Sequence, residues 1–268
     1  MNANSQAAVE TPYLLRTRSG GVVSLTLNRG ERFNPLSMAM IESLQAELDA
    51  IADDPSARAV VLGANGRGFS AGHDLKEVRA HSGDTEWQRK LFDTCAQMML
   101  TLTRMPQPVI ARVHGIATAA GCQLVSMCDL AVAASEAKFA LPGVNVGIFC
   151  STPVVGVGRN IHRKQAMEML LTGEMIDAPT ARERGLINRV VPASQLDAEI
   201  KKITDIIVGR SAAVIGAGKR AFYQQLDRSL ADAYVLAGEA MACNLQLEDA
   251  DEGVDAFLGK RAPEWRNR

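Results

Sequence analysis

Basic surplus, aromatic rings and paired cysteines are scarce in this 268-residue chain. Its 29 Lys and Arg stand against 30 Asp and Glu, a formal net charge of −1. That leaves no cationic excess of the kind that neutralises nucleic-acid phosphates. Phe, Trp and Tyr together make up 4% of the residues, so a cage of stacked rings is not expected and a binding site leans on backbone groups and aliphatic walls. The five cysteines, Cys95, Cys122, Cys128, Cys150 and Cys243, are odd in number and form no CxxC pair. With four scattered histidines they give no zinc-ligand spacing, and reduced thiols in a cytoplasmic protein are expected. No run approaches the ~18 apolar residues of a membrane span. The opening MNANSQAAVETP has neither the charged start and apolar run of a secretory signal nor the arginines of a mitochondrial presequence. Neither nucleic acid nor membrane is therefore an expected partner.

What is present is 22 glycines and a hydrophobic content of 47% beside 22% charge, ordinary for a globular protein. The length suits one domain with an appended segment, or two small ones. Residues 1–12 read as a disordered start. Val22–Asn28 alternates apolar and polar residues and predicts a half-buried strand. Ser37 is a candidate N-cap for a helix over Met38–Ala52, and Arg58–Ala64 reads as a second strand. Further strands at VIARVHG and DLAVAA alternate with helical stretches, the signature of an α/β core. From Arg163 onward helical patterns dominate, with Ala212–Gln225, Leu230–Leu247 and Glu252–Lys260 the last three.

Two loops share one design. Phe69-Ser70-Ala71-Gly72-His73-Asp74-Leu75 and His114-Gly115-Ile116-Ala117-Thr118-Ala119-Ala120-Gly121 each run from a strand through small residues into a helix start. Small side chains let a ligand approach the backbone, and the first N–H groups of a helix are unpaired and favour developing negative charge. Two such groups converging on one oxygen form an oxyanion hole, in which losing one donor costs ~10²–10³ in rate. Tight turns selected for packing are the alternative reading.

These residues carry a resemblance. IARVHGIATAAGCQLVSMCDLAVAASEAKFALP (Ile110–Pro142) resembles the signature of the enoyl-CoA hydratase/isomerase, or crotonase, superfamily. GFSAGHDLKEV (Gly68–Val78) is similar to its first oxyanion loop, and LNRGERFNPLS (Leu27–Ser37) to its N-terminal strand and turn. Ala166–Pro192 and Asp251–Trp265 resemble two later blocks. The five blocks occur in order and cover nearly the whole chain from about residue 13.

The resemblance implies an α/β fold, the ClpP/crotonase-like spiral of β-β-α units, with an acyl-CoA pocket in a core over residues 13–200. It implies a C-terminal helical trimerisation region over residues 201–268, in a homotrimer or a dimer of trimers. No prosthetic group is implied, because coenzyme A arrives as part of an acyl-CoA thioester substrate. Carried over by position, the thioester oxygen sits between the backbone N–H groups of His73 and Ala120, where Ala120 replaces the family's usual glycine. Arg32, Phe33, Ala71, Asp74 and Leu75 would lie along the CoA, and Phe257 and Lys260 would reach it from the C-terminal end.

The chain departs from the family where proton transfer is done. Family hydratases use two glutamates, because a tuned carboxylate exchanges a proton near neutral pH. Their positions hold Gln123 and Gly143 here, and Ala140–Val157 contains no Asp or Glu. An amide has no accessible pKa and glycine has no side chain. Asn145 and Ser151 offer hydrogen bonds only, the His73 ring has the right intrinsic pKa for a base, and Cys150 is either a nucleophile or a buried thiol. His114 reads as a packing histidine and Asp129 as a structural acceptor. GIFCSTPVVGVGR with GKRAFYQQL is most similar to a branch termed "enoyl-CoA hydratase domain-containing", which shares the glutamate loss. The expected function is a hydratase/isomerase-like enzyme of acyl-CoA and fatty acid metabolism that relies on a backbone oxyanion hole. The alternative is a non-catalytic acyl-CoA-binding or regulatory protein. Gln123→Glu with Gly143→Glu would be expected to restore the family pair.

Overall fold

The alternation at Val22–Asn28 becomes a strand with Val23, Leu25 and Leu27 buried, and the run that follows Arg58 becomes one buried on both faces. The latter is the pattern of a central parallel strand. A computed structural model describes residues 11–268. Its strands are β1 (Leu14–Ser19), β2 (Val22–Leu27), β3 (Ala59–Ala64), β4 (Gly68–Ser70), β5 (Val109–Val113), β6 (Ile116–Thr118), β7 (Leu130–Ala134), β8 (Lys138–Ala140), β9 (Ile176–Asp177) and β10 (Arg189–Val191). One sheet has the order β1-β2-β3-β5-β7-β10 and the other β4-β6-β8-β9. All neighbours are parallel except β1 with β2 and β8 with β9.

Between the strands run α1 (Met38–Ala52), α2 (Leu75–Ala80), α3 (Thr85–Arg104), α4 (Ala120–Met127), α5 (Pro153–Asn160), α6 (Arg163–Thr172) and α7 (Ala178–Glu183). The C-terminal part adds α8 (Leu196–Val208), α9 (Ala212–Gln225), α10 (Leu230–Asn244) and α11 (Glu248–Leu258). Each of the pairs β3-β4, β5-β6 and β7-β8 gives one strand to each sheet before the chain enters a helix. This is the repeat of β-β-α units that the resemblance implies. β1 is a strand that alternation did not reveal, since five of its six residues are exposed. Gly20-Gly21 turns it back on β2, with Gly20 at φ 57° where glycine carries no steric penalty.

Leu196, Ile200 and Ile203 of α8 bury against Ala59, Val61, Ile110 and Val132 of the large sheet. Residue 200 therefore lies inside a helix of the core, and the appended helices begin at Ala212. A buried side chain ties α9 to the core. Lys219 on α9 donates to the carbonyls of Leu102 and Gln107, and to Asp129 Oδ2 at 2.6 Å. Asp129 also accepts from Tyr223 Oη at 2.9 Å and from the N–H of Val109 at 2.7 Å. α10 has no buried residue. No helix among the described residues is long and apolar enough to cross a membrane, and no cluster of three or more His, Cys, Asp or Glu among them is arranged to hold a metal. The segment 1–12 lies outside the described residues up to residue 10. At its end the carbonyls of Thr11 and Pro12 accept hydrogen bonds from Arg29.

Candidate active site

β4 and β6 are parallel neighbours that end on the same side, so the two glycine-containing loops leave the small sheet together. Thr118 Oγ1 joins them by donating to the carbonyl of Ala71 at 3.2 Å. Their contact is close enough to exclude side chains. A Cβ on Gly72 (φ +88°) would lie 2.9 Å from Ala119 Cβ and 3.0 Å from the nitrogen of Ala120. A Cβ on Gly121 would strike the Ser70 carbonyl and lie 2.8 Å from Ser70 Cβ. Glycine is required at both points for proximity, and at Gly72 for its backbone conformation as well.

The first loop is clamped to the turn before α1. Ala71 N–H donates to the Phe33 carbonyl at 2.9 Å and Leu36 N–H to the Gly72 carbonyl at 2.8 Å. Ser70 Oγ donates to the Asn34 carbonyl. Asn34 is itself fully buried, and its amide donates to the carbonyls of Asn65 and Gly68. Because Leu36 is the donor in its bridge with His73, the His73 N–H has no acceptor among the described residues. Ala120 opens α4, so its N–H has no partner inside the helix. Ala119 before it holds φ 49° and ψ −122°, a conformation that alanine adopts only under strain. His73 and Ala120 thus each leave a backbone N–H without an acceptor among the described residues, on adjoining loops.

The two positions at which the resemblance implies glutamates differ from each other. Gln123 is buried on α4, one helical turn beyond Ala120, and its Oε1 has no hydrogen-bond partner among the described residues. Gly143 sits in the single turn Pro142–Val146 with no room for a side chain. A Cβ there would collide with the Ile148 carbonyl and lie 2.9 Å from Cys150 Sγ. The expectation that Gly143→Glu restores a family carboxylate is therefore corrected, because backbone fills that space.

The other candidates separate. Asn145 is exposed with its amide against Gly173, at the end of α6. Ser151 is exposed and its Oγ turns back to the Phe149 carbonyl. Neither shares the buried environment of Gln123. Burial pushes the Cys150 thiol above its ordinary value, which leaves a protonated thiol and no nucleophilic thiolate. His114 Nε2 meets the Gly66 carbonyl at 2.9 Å, a packing role.

Arg32 and Asp74 pair at 2.6 Å and line a cleft of about 200 Å³ together with Arg29 and Glu77. Asp74 also caps α2, accepting from the N–H groups of Lys76 and Glu77. The Phe33 ring packs over Gly68. Leu75 is 54% exposed beside this cleft-forming pair, and Phe257 is 83% exposed at the far C-terminal end. Lys260 follows Phe257 with φ 51°.

Residues 17–268 match the family model described as enoyl-CoA hydratase/isomerase. The chain belongs to this family. An enoyl-CoA hydratase structure from Mycobacterium smegmatis superposes with a TM-score of 0.93 at 54% identity, covering 95% of this chain and 99% of that one. Enoyl-CoA hydratase domain-containing protein 3, mitochondrial, of Xenopus laevis is 46% identical over 95% of this chain and 86% of its own length. The 2,3-dehydroadipyl-CoA hydratase of Escherichia coli is 32% identical over 95% and 99%. Family membership makes this an acyl-CoA protein of hydratase/isomerase type, in the domain-containing branch. It also corrects one expectation. Five vertebrate relatives at 44–46% identity are named as mitochondrial, which overturns the cytoplasmic reading drawn from thiols and from the opening residues.

Sequence reasoning missed Asn34, Ser70 and Ala119. The small residues of the second loop were the available signal for Ala119. Asn34 and Ser70 act through main-chain partners that residue types do not reveal.

Proposed function

We propose that this protein binds an acyl-CoA thioester and polarises its carbonyl between the N–H groups of His73 and Ala120, running enolate chemistry without the family's pair of glutamates. The observation that carries this reading is the pairing of two unused backbone donors on adjoining loops with a filled space at Gly143. Electrostatic stabilisation of a developing oxyanion is often the largest single contribution to catalysis, so chemistry survives where the two carboxylates are gone. Gln123, with its unpaired amide oxygen, would orient a water or a polar group of the substrate. Asn145 and Ser151 lie at the rim in this proposal. Arg32, Phe33, Ala71, Asp74 and Leu75 form the path of the CoA, and the two guanidinium groups at the cleft suit its phosphates. The protein would need no prosthetic group.

Oligomerisation belongs to the same proposal. Leu230, Tyr234 and Val235 on α10 and Phe257 on α11 are large apolar side chains left exposed in one copy. A homotrimer, or two stacked trimers, would cover them and bring Phe257 and Lys260 to a neighbour's CoA.

Calorimetry with butyryl-CoA and free CoA, together with turnover assays on 2-enoyl and 3-enoyl esters, tests the reading. Binding of the thioester is expected, and its absence overturns the proposal. Binding with no turnover on any ester would select the second reading, a non-catalytic acyl-CoA-binding protein. The lack of any ionisable side chain at positions 123 and 143 favours that reading.

A further inference from the structure

His73 carries more than a backbone donor. Its Nδ1 lies 3.2 Å from the Leu36 carbonyl oxygen. A carbonyl oxygen only accepts, so the proton is on Nδ1 and Nε2 presents a bare lone pair. Nε2 is buried and has no partner among the described residues. Leaving a buried acceptor unpaired is costly, and native proteins keep few of them. The ring is held on two sides. Leu36 fixes Nδ1, and the Phe92 ring of α3 meets it edge-on with centroids 5.5 Å apart at 82°. α3 also packs against α4, whose first N–H is the second oxyanion donor. The imidazole therefore lies between the loop that bears one donor and the helix that packs on the element bearing the other.

We propose that His73 Nε2 is the base that transfers the substrate α-proton at this site, in place of the missing carboxylates; this rests on the thioester reading above. The α-carbon–hydrogen bond breaks and its proton bonds to Nε2. The electron pair passes to the thioester oxygen, which becomes an enolate oxygen held by the N–H groups of His73 and Ala120. The resulting imidazolium keeps its Nδ1–H on the Leu36 carbonyl, a hydrogen bond that strengthens when the donor is charged. Return of a proton from Nε2 to the α-carbon regenerates the thioester. Delivery to the γ-carbon of a 3-enoyl ester instead shifts the double bond, so one base serves both directions and no second reactant is consumed. Burial holds the imidazole below its ordinary value, which keeps the ring in its proton-accepting form at neutral pH.

The test uses the full chain, butyryl-CoA as probe and deuterium oxide as solvent, with deuterium at the α-carbon read by NMR. The parent is expected to bind the probe and to exchange its α-protons. H73A and H73N keep the backbone N–H, so the dissociation constant should stay within about threefold while exchange falls about 100-fold or more, as for loss of a general base. Exchange in either folded variant within tenfold of the parent, at unchanged affinity, overturns the role of the ring and leaves the thioester reading standing. A parent that binds but does not exchange also overturns it. A parent that does not bind removes both. Nitrogen NMR of the unsubstituted protein needs no variant: a bare Nε2 on His73 whose resonance moves when butyryl-CoA is added is expected, and a protonated Nε2 overturns the proposal.

Discussion

The carbonyl oxygen of Ile148 occupies the space that a side chain on Gly143 would need, and Cys150 Sγ stands 2.9 Å from the same point. Position 143 is thus closed to any side chain, whatever the family resemblance implies for it. Ile148 N–H donates back to the Gly143 carbonyl at 2.9 Å, so the two residues close a small turn that any Cβ must open.

Gly143→Glu, alone or with Gln123→Glu, is therefore expected to destabilise the protein and to give no hydration of crotonyl-CoA. Overpacking of a filled site costs about 1–3 kcal/mol, which lowers the melting midpoint by about 2–4 °C per kcal/mol in a chain near this size. Gln123→Glu alone replaces an amide of nearly equal volume and should shift the midpoint less. Thermal unfolding of the three variants beside a hydration assay checks this. A stable, hydrating double variant would show that the turn at Ile148 yields.

Ala119 holds positive φ at the step into α4. Such a conformation costs a residue with a side chain about 1–3 kcal/mol, whereas glycine adopts it freely and gives back about 0.4–1 kcal/mol through its looser unfolded chain. Ala119→Gly should stabilise the protein by about 1 kcal/mol, read as a higher denaturant midpoint at unchanged slope. A drop in midpoint would show that the neighbouring contacts, and not the backbone, set the cost at this position.

Acid should weaken the fold before any carboxylate titrates. Burial holds the imidazoles of His73 and His114 below their ordinary 6.5, with Arg112 adding to the effect at His114. Below about pH 6.5 the unfolded chain takes up a proton at each ring that the folded chain refuses. Their contribution is therefore full above about 6.5 and is lost as the pH falls toward the folded values. The slope approaches about 1.4 kcal/mol per pH unit for each group. Chemical denaturation at pH 7.5, 6.5 and 5.5 should show it, and H73N with H114N should flatten it. A pH-independent parent would contradict the burial of both rings.

The strands that could be read in the sequence are those long enough to show a period, such as β2 and β3, while β4, β6 and β8 have three residues each. The small sheet that aligns the two active-site loops was expected only through family likeness, because three residues carry no alternation. The boundary expected at residue 200 falls inside α8, whose Leu196, Ile200 and Ile203 pack together on the large sheet. At the site, the family resemblance puts Gln123 and Gly143 where a pair of glutamates would be expected, and both identities can be read directly from the sequence. That Ile148 fills one vacated position, and that the Leu36 carbonyl selects the tautomer of His73 from 37 residues away, depend on turns whose direction the residue types alone do not specify.

The appended helices should depend on Lys219. Its ammonium is almost wholly buried, with two carbonyls and Asp129 as partners, while Asp129 ties in Tyr223 and the start of β5. Removing one member of a buried pair strands the other charge, which costs about 3–5 kcal/mol. Lys219→Met leaves the Asp129 carboxylate facing only Tyr223 and the Val109 N–H. It should lower stability by that amount and open α9 to protease before the sheets are cut. Asp129→Asn combined with Lys219→Met removes both charges and should recover part of the loss, because the amide oxygen can still accept from the Val109 N–H while its NH2 donates to the Tyr223 hydroxyl. If the double variant were as unstable as the sum of the singles, the two side chains would be acting independently. The cost of Lys219→Met would then come from the lost contacts with the Leu102 and Gln107 carbonyls rather than from the pairing with Asp129.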